Sequence, residues 1–463
     1  MSSPRAVDRP APGSCCDACA LEAPKPAVID RAALIELEPG PRPSIARTTD
    51  RRITVGGVAL AAGFLVASIG SALLPSPARH GIWLPVHLAL AGGAGTAVAS
   101  VLPFFVATLA IVPPTRPLVR AGAIALIALG AIGASAGVAS GLSALAVAGA
   151  LTYLVGLGAV AVAAFTPLRG RVVARRRAVT AAYGAALIEV SVGVAIAGSM
   201  LAGFAPVVER WGVLKPAHAW LNVFGFLSVV VAATLVHLAP TVAGTRIIPR
   251  RSASVALVLL VAGPPIVAVG LAFEVDAVAR IGATAEILGA AALAIHAIAV
   301  WRDRGRWTTD PAWHRATSWS LTLAPMWFLV AVVLASGRIL GLGADALAWR
   351  LDDIAAPLAI GWVIQAMIGS WSQLIPAIGP GGLATHARQR ASLGRAATAR
   401  VVALEVGVGL TVIGATVGAT LPTVIGVVAC TGSILAAVVI LATTLYGGRV
   451  ARDSRPLVTD PGG

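Results

Sequence analysis

The chain has 463 residues, of which 57% are hydrophobic and only 12% are charged, with a formal net charge of +15. In soluble domains about a quarter of the residues are charged. This composition therefore excludes a soluble globular protein and leaves no room for a large soluble domain. The positive charge does not indicate nucleic-acid binding, because the basic residues lie in short loops without interleaved aromatic residues.

Residues 1–52 are polar and rich in Pro and Ala, and we expect them to form a mostly disordered cytoplasmic tail without a cleavable signal peptide. This tail contains Cys15, Cys16 and Cys19. Thiolates at a CxxC spacing can hold a soft metal such as Cu(I) or Zn(II), and Cys15 would supply a third ligand. A closed tetrahedral site needs a further ligand, so a free or redox-active tail is the alternative.

Twelve apolar stretches follow, and each is long enough to cross a bilayer, which takes about 20 residues. The predicted spans, numbered 1 to 12, cover residues 53–74, 82–112, 117–139, 142–165, 178–201, 217–240, 252–273, 279–301, 317–337, 354–379, 398–420 and 423–446. The transmembrane domain therefore covers residues 53–446, and residues 447–463 form a second cytoplasmic tail. The sequence predicts an all-α, multi-pass protein of the plasma membrane, built as a bundle of about twelve helices.

The basic residues predict the orientation of this bundle. Of the 35 Lys and Arg residues, 29 fall in the two tails and in the loops after even-numbered spans, and six fall in the other loops. By the positive-inside rule, both termini are expected to be cytoplasmic. Tryptophans near the outer span ends are expected to anchor at the membrane interface, namely Trp83, Trp211, Trp349 and Trp362. No internal repeat is obvious in the sequence.

Histidines within the spans are candidate functional residues, because ionisable groups in hydrocarbon cost several kcal/mol. His87 begins span 2 and His218 begins span 6, both near the outer face, so the two can approach each other at similar depth. His237 follows His218 by 19 residues in span 6. The two are therefore about 28 Å apart along a helix and cannot share a metal. His237 can instead meet His296, near the inner end of span 8, as a second candidate metal pair.

Small residues surround the outer pair of histidines. Ala91, Ala94 and Gly95 share a helix face with His87 and offer a flat floor against which a planar macrocycle can lie, with close helix packing as the alternative. Asn222 and Gly225 lie on the same face as His218. His218 is therefore a candidate ligand with Asn222 beside it, and the alternative is an interfacial histidine satisfied by headgroups and water.

Other polar residues lie deeper in the spans. Gln365 and Gln373 share a face of span 10, where they line a polar cavity or cross-link helices through hydrogen bonds. Glu189, Glu286 and Glu405 lie in spans 5, 8 and 11, and each is expected to be protonated or paired. The three carboxylates are parts of a proton path or isolated structural partners.

Two segments resemble motifs of an actinobacterial family of polytopic membrane proteins. The block His218-Ala219-Trp220-Leu221-Asn222-Val223-Phe224-Gly225, continuing to His237-Leu238-Ala239-Pro240-Thr241 and Arg246, is similar to an HxHLNxxG…P-T…TR pattern. The segment from Gln365 to Pro376 resembles a QxxxGxxxxLLP pattern. Such proteins look like distant relatives of haem-copper oxidase subunit I and of the NnrS-type nitric-oxide-response proteins, and His87 fits the place of a haem ligand.

The resemblance implies a haem or copper site, but an incomplete one. Trp220 stands where the family pattern has its second histidine, span 10 has no histidine, and span 7 has no histidine pair. A complete oxygen reductase is therefore not expected. What the resemblance implies is a partial haem or copper site at His87 and His218, with Asn222 fixing an imidazole ring.

The leading hypothesis is thus an integral membrane haem- or copper-binding protein, linked to nitric oxide, nitrite or copper handling. Two alternatives remain. One is a proton-coupled secondary transporter without a cofactor, in which the embedded carboxylates couple to protons. The other is a membrane partner of a redox enzyme, such as a redox subunit or a soluble copper protein.

Overall fold

The computed structural model describes residues 45–169, 177–247, 250–304, 312–345, 347, 349–378 and 383–453. These residues are helical and contain no β-strand. The chain divides into two units, Met1–Asp50 and Arg51–Gly463, and the second holds the long apolar helices. The predicted metal site at Cys15, Cys16 and Cys19 lies outside the described residues.

Twelve helices in the described residues are long and apolar enough to cross a membrane. They correspond one to one with the predicted spans, so the fold class is confirmed and the numbering is kept. Their bounds are Arg52–Ala72, Trp83–Ala110, Pro117–Ser140, Ser143–Leu168, Arg177–Leu201, Trp211–Ala243, Arg251–Phe273, Asp276–Asp303, Ala312–Leu342, Asp353–Pro376, Ala384–Val417 and Thr420–Thr444. Twelve crossings return the chain to the side on which span 1 begins, and we call this side, to which the charge pattern assigns 29 of the 35 basic residues, the basic side.

Two helical segments lie outside the predicted bounds. A short helix, Ala205–Val208, connects spans 5 and 6. A helix at Leu383–Leu393 precedes Ala397–Val417, so span 11 begins further toward the basic side than the hydropathy pattern predicts. The hydropathy pattern missed this helix because it is polar on average and carries Arg388 and Arg390.

Spans 2, 6 and 10 each change from an α-helix to a π-helix and back again. The π-helical segments are Leu88–Ala94, Leu221–Ser228 and Ala356–Ile364. A π-helical segment adds a residue to the local turn and occurs frequently at functional sites. Each added residue rotates the helix beyond it by about 100°, so these segments decide which side chains before and after them share a face.

The helices repeat with a period of four spans. The most extensive pairings between neighbouring helices join span 3 with 4, span 7 with 8, and span 11 with 12. The π-helical spans 2, 6 and 10 recur at the same interval. The described bundle therefore consists of three successive four-span units, formed by spans 1–4, 5–8 and 9–12.

Glycines permit the close approach in these helix pairs. A Cβ at Gly149 in span 4 would lie 2.1 Å from the backbone nitrogen of Ala134 in span 3. A Cβ at Gly270 in span 7 would lie 2.3 Å from the nitrogen of Ala279 in span 8. Van der Waals packing between backbones is a main source of helix association in membranes, and small residues make it possible.

The prediction that Trp362 anchors at the membrane interface is wrong. Its side chain is fully buried inside the bundle, and its ring stacks on Phe328 with the centroids 4.7 Å apart. Trp349 packs edge-on against Trp220 at 5.6 Å. These aromatic side chains therefore hold helices together, which the position of a tryptophan near a span end does not reveal.

Candidate functional site

His87 and His218 lie side by side at the end of the bundle opposite the basic side. Their ring centroids are 6.5 Å apart and the ring planes differ by only 10°. His87 is the last residue of the α-helix Trp83–His87, and His218 lies in Trp211–Trp220. Each helix leads directly into a π-helical segment. The approach of the two histidines is thus confirmed, and their role as metal ligands remains a prediction.

Backbone carbonyl groups orient both rings. Nδ1 of His87 lies 2.8 Å from the carbonyl oxygen of Trp83, and Nδ1 of His218 lies 2.8 Å from that of Gly193. A carbonyl oxygen only accepts hydrogen bonds, so each Nδ1 carries a hydrogen and each Nε2 keeps its lone pair. Among the described residues, neither Nε2 has a hydrogen-bond partner. Metal-binding histidines characteristically adopt this arrangement, donating one ring N–H and ligating through the other nitrogen.

The rings of His87 and His218 are nearly parallel, with their centroids 6.5 Å apart. Two Nε2 atoms that face one metal ion edge to edge, with metal–nitrogen bonds of about 2 Å and roughly 1.1 Å from each nitrogen to its ring centroid, separate the two centroids by about 6 Å. The centroid distance therefore allows a shared ion when both Nε2 atoms point into the space between the residues. Both residues are half-buried.

Span 5 and Asn222 hold the His218 side of the site. Asn222 Nδ2 donates to the carbonyl oxygen of His218 at 2.6 Å and lies 3.1 Å from its Nδ1. Gly193 packs directly against this amide, since a Cβ there would lie 2.6 Å from Asn222 Nδ2. Asn222 therefore holds the helix backbone at His218, and a role in fixing the imidazole ring of a ligand remains a prediction.

Two tryptophans flank the histidine pair. Trp83 stacks on His87 with centroids 4.0 Å apart and planes 22° apart. Trp211 lies at 6.2 Å from His218, tilted by 45°. Both were predicted only as interfacial anchors, whereas the structure shows that they also contact the candidate ligands.

The small residues after His87 serve close helix packing, which was the alternative to a floor for a macrocycle. A Cβ at Gly92 would lie 2.3 Å from the ring of Phe64. A Cβ at Gly95 would lie 2.1 Å from Tyr153 Oη, and this hydroxyl donates to the carbonyl of Ala91 at 3.2 Å. Protein side chains therefore occupy the face on which a planar macrocycle was expected to lie.

Two of the predicted carboxylates lie together beside span 6. Glu286 accepts hydrogen bonds from Trp220 Nε1 at 2.6 Å and from Ser336 Oγ at 2.9 Å. Glu189 contacts Gly225, and its Oε2 is buried without a hydrogen-bond partner among the described residues. Glu189 and Glu286 are close enough for their charges to interact. They form a polar pair with Glu189 on span 5, which also holds His218 through the carbonyl of Gly193, and Glu286 on span 8.

Glu405 belongs to a different group of polar residues. It accepts hydrogen bonds from Gln365 Nε2 at 2.5 Å and from Trp327 Nε1 at 2.6 Å. Gln365 is fully buried, so it cross-links spans 10 and 11, which is one of the two roles predicted for it. The Oε1 atoms of Gln365 and Gln373 are buried without a hydrogen-bond partner among the described residues. A continuous proton path through all three carboxylates remains a prediction.

Sequence reasoning missed the tryptophan donors. Trp220 and Trp327 each donate an indole N–H to a glutamate on another span, to the buried Glu286 and to the half-buried Glu405. Trp220 stands where the family pattern has a histidine, and the sequence therefore marked it only as a departure. The sequence does show a tryptophan within one span and a carboxylate at similar depth in a later span, and this combination could have predicted the hydrogen bonds.

His237 and His296 are the second candidate metal pair. His296 is 3% exposed, and neither of its ring nitrogens has a hydrogen-bond partner among the described residues. His237 is half-buried, and its carbonyl oxygen accepts a hydrogen bond from Thr241. No cluster of three or more His, Cys, Asp or Glu side chains suited to a metal occurs in the part of the chain that the structure describes. A metal at His237 and His296 stays a prediction.

No protein-family model matches this chain, and no curated protein is significantly similar to it. The relationship to oxidase-like membrane proteins therefore stays an expectation based on the block that begins at His218. The geometry of His87 and His218 is the observation that supports a functional proposal.

Proposed function

We propose that this protein is an integral membrane metalloprotein that binds copper between His87 and His218, near the side opposite the basic side. The observation that carries the proposal is a parallel histidine pair in which both Nδ1 hydrogens are committed to backbone carbonyls. Two neutral imidazoles suit copper, and Cu(I) is stable with two nitrogen ligands. Structural zinc almost always takes four ligands, and no third ligand joins this pair among the described residues.

Haem is the other cofactor that the resemblance implies, and the surroundings of His87 suit it less well. Phe64 and Tyr153 cover the glycines on which the macrocycle was expected to lie. A copper ion needs only the space between the two rings. We therefore place copper first and keep haem as a distinct outcome of the experiment.

The residues around the pair have defined roles in this proposal. The carbonyls of Trp83 and Gly193 fix the tautomers, so that each Nε2 is available as a ligand. Trp83 restricts access of water to His87 by covering its ring. Bound copper would supply one-electron chemistry, which fits a link to nitric oxide, nitrite or copper handling.

Proton-coupled transport without a cofactor is the second candidate function. It is favoured by Glu189, whose Oε2 is buried without a hydrogen-bond partner beside Glu286. In a bilayer, such a group is by default a candidate for ion or proton movement. Against transport, Trp220 and Ser336 hold both oxygens of Glu286, which restrains one of the two carboxylates.

Metal analysis of the purified protein tests the proposal. Copper and iron are counted on one detergent-purified sample, and an oxidised-minus-reduced visible spectrum is recorded on the same sample. We expect about one copper per chain in the wild type and a loss of at least tenfold in His87→Ala and in His218→Ala. His80→Asn is the matched control, because His80 lies in the loop before span 2 and Asn tolerates its positive φ of 50°.

Each other outcome contradicts the copper assignment in a specific way. Stoichiometric iron with a Soret band identifies haem instead. Full copper content in both histidine variants means that these residues are not the ligands. A metal-free, colourless protein shifts the assignment to transport, which is then tested with Glu189→Gln in a proton-flux assay.

A further inference from the structure

A cavity opens among spans 9 to 12 near the basic side, at the other end of the bundle from His87 and His218. It encloses about 390 Å³ including its mouth. Trp313 is the second residue of span 9, and Arg400 lies near the beginning of the helix Ala397–Val417 in span 11, which places the cavity at this end. Its polar lining consists of Thr317, Ser320, Ser372, Arg400 and Ser433.

Arg400 gives this cavity a positive charge without a counter-charge. Its Nη2 donates to the carbonyl oxygen of Leu393 at 2.7 Å, while its Nε is buried without a hydrogen-bond partner among the described residues. No Asp or Glu side chain is among the described residues that line the cavity. Burying a cation is unfavourable unless an opposite charge or several acceptors surround it, so this guanidinium has donors to offer to a ligand.

Two serines add further donors to the same cavity. Ser320 is 4% exposed, and neither its hydroxyl nor that of Ser372 has a hydrogen-bond partner among the described residues. Thr317 and Ser433 differ, because they donate to backbone carbonyls at 2.8 and 2.7 Å. The unsatisfied donors therefore belong to Arg400, Ser320 and Ser372, which line one space.

A second arginine reinforces the positive potential at the cavity. The guanidinium of Arg390 lies 5.3 Å from the ring centroid of Trp313, and Trp313 lines the cavity wall. In a site with low-dielectric walls, charges of one sign concentrate ions of the other sign. Anions from the basic side of the membrane are therefore expected to accumulate at the mouth.

We propose that this cavity binds a small, planar, monovalent oxyanion of the carboxylate or nitrate type, held by Arg400 with Ser320 and Ser372. The planar guanidinium matches two oxygens of such an anion with parallel hydrogen bonds. The 390 Å³ includes the open mouth, so the enclosed part of the cavity takes only a small ligand. The site is separate from the histidine pair and does not depend on copper.

Thermal unfolding in detergent tests the proposal with sodium formate and sodium nitrate as probes, against sodium chloride at equal ionic strength. A ligand that binds only the folded state raises Tm in a saturable way with its concentration. We expect saturable stabilisation of the wild type by formate and nitrate and a loss of that shift in Arg400→Gln. Arg395→Gln is the matched control, because Arg395 is exposed on the same side and does not line the cavity.

Serine variants keep the proposal falsifiable if Arg400→Gln fails to fold. Ser320→Ala and Ser372→Ala each remove one oxygen, and each is expected to weaken the apparent formate affinity at least threefold. Equal stabilisation by chloride, or an undiminished formate response in both serine variants, overturns the proposal. Copper content measured on the same variants is expected to equal that of the wild type, so a failure here is distinguishable from a failure of the copper site.

Discussion

Trp220 connects spans 6 and 8 through one indole hydrogen bond. Its Nε1 donates to Glu286 Oε1 at 2.6 Å, and both side chains are almost completely buried. Water is absent from the bilayer core, so a carboxyl oxygen that loses this donor finds no replacement. The energetic effect of losing the bond is therefore the cost of an unsatisfied buried group and exceeds the net value of an average hydrogen bond.

Replacing Trp220 by Phe is expected to destabilise the protein by about 1–3 kcal/mol, because it removes the indole donor and leaves an aromatic ring in place. The free energy of unfolding in detergent, followed by circular dichroism, measures the effect. Trp301→Phe is the control: Trp301 is 41% exposed, and its substitution is expected to change stability by no more than about 0.5 kcal/mol. A Trp220→Phe protein as stable as this control would show that the bond contributes nothing.

At the residue scale, the sequence predicts how deep a side chain lies in the membrane better than it predicts which neighbouring helix that side chain faces. Hydropathy assigns His87 and His218 to the same depth because both begin a span, and the structure brings them to 6.5 Å. The contact of Trp220 with Glu286 depends on which faces of two helices meet. That depends on packing across 66 residues of chain, which no local pattern encodes.

The π-helical segment of span 2 links the candidate ligand to the rest of its helix. Leu88–Ala94 begins directly after His87, and Gly95–Ala110 continues the span as an α-helix that packs on spans 3 and 4. If the segment were α-helical, His87 would be rotated by about 100° relative to that packed part. The π-helical segment therefore decides whether His87 faces His218.

Insertion of one alanine after Leu90, inside this segment, is expected to lower copper content at least tenfold while the helical content stays close to that of the wild type. The loss follows because a further residue, which the π-helical turn does not absorb, rotates His87 by about 100° away from its partner. Metal analysis and circular dichroism on the same preparation measure both quantities. Insertion of one alanine after Ser76, in the loop between spans 1 and 2, serves as the control and is expected to retain copper.

At the element scale, the sequence predicts all twelve spans but none of the three π-helical segments. A span is a property of average hydropathy over about 20 residues, which composition alone determines. A π-helical segment depends on how one face packs, as when Gly361 in span 10 leaves space for Trp327. Copper retained after the insertion at Leu90 would mean that the loop or span 6 positions the pair without help from this segment.

The whole molecule combines a four-span repeat in its backbone with a strong asymmetry in its charges. The repeat appears in the pairing of spans 3 with 4, 7 with 8 and 11 with 12, and in the π-helices of spans 2, 6 and 10. It escaped sequence inspection because the equivalent positions carry different residues: His87 and His218 precede two of the π-helices, whereas the third follows Leu351–Ala355, which contains no histidine. The three units therefore share their backbone geometry, but only the first two carry a histidine before the π-helical segment.

Orientation in the membrane is the last property that the charge pattern predicts, and it decides which compartment each site meets. With 29 of 35 basic residues on one side, the positive-inside rule places that side in the cytoplasm.

Ser76 and Arg395 are exposed at opposite ends of the bundle. In intact cells, we expect a membrane-impermeant maleimide to label Ser76→Cys and to label Arg395→Cys only after permeabilisation. Both variants are made in a background in which Cys15, Cys16 and Cys19 are replaced by serine, and this background, whose Cys430 is buried, controls for labelling before and after permeabilisation. The reverse labelling pattern would put the histidine pair in the cytoplasm and the anion cavity outside, because the two sites lie at opposite ends of the bundle.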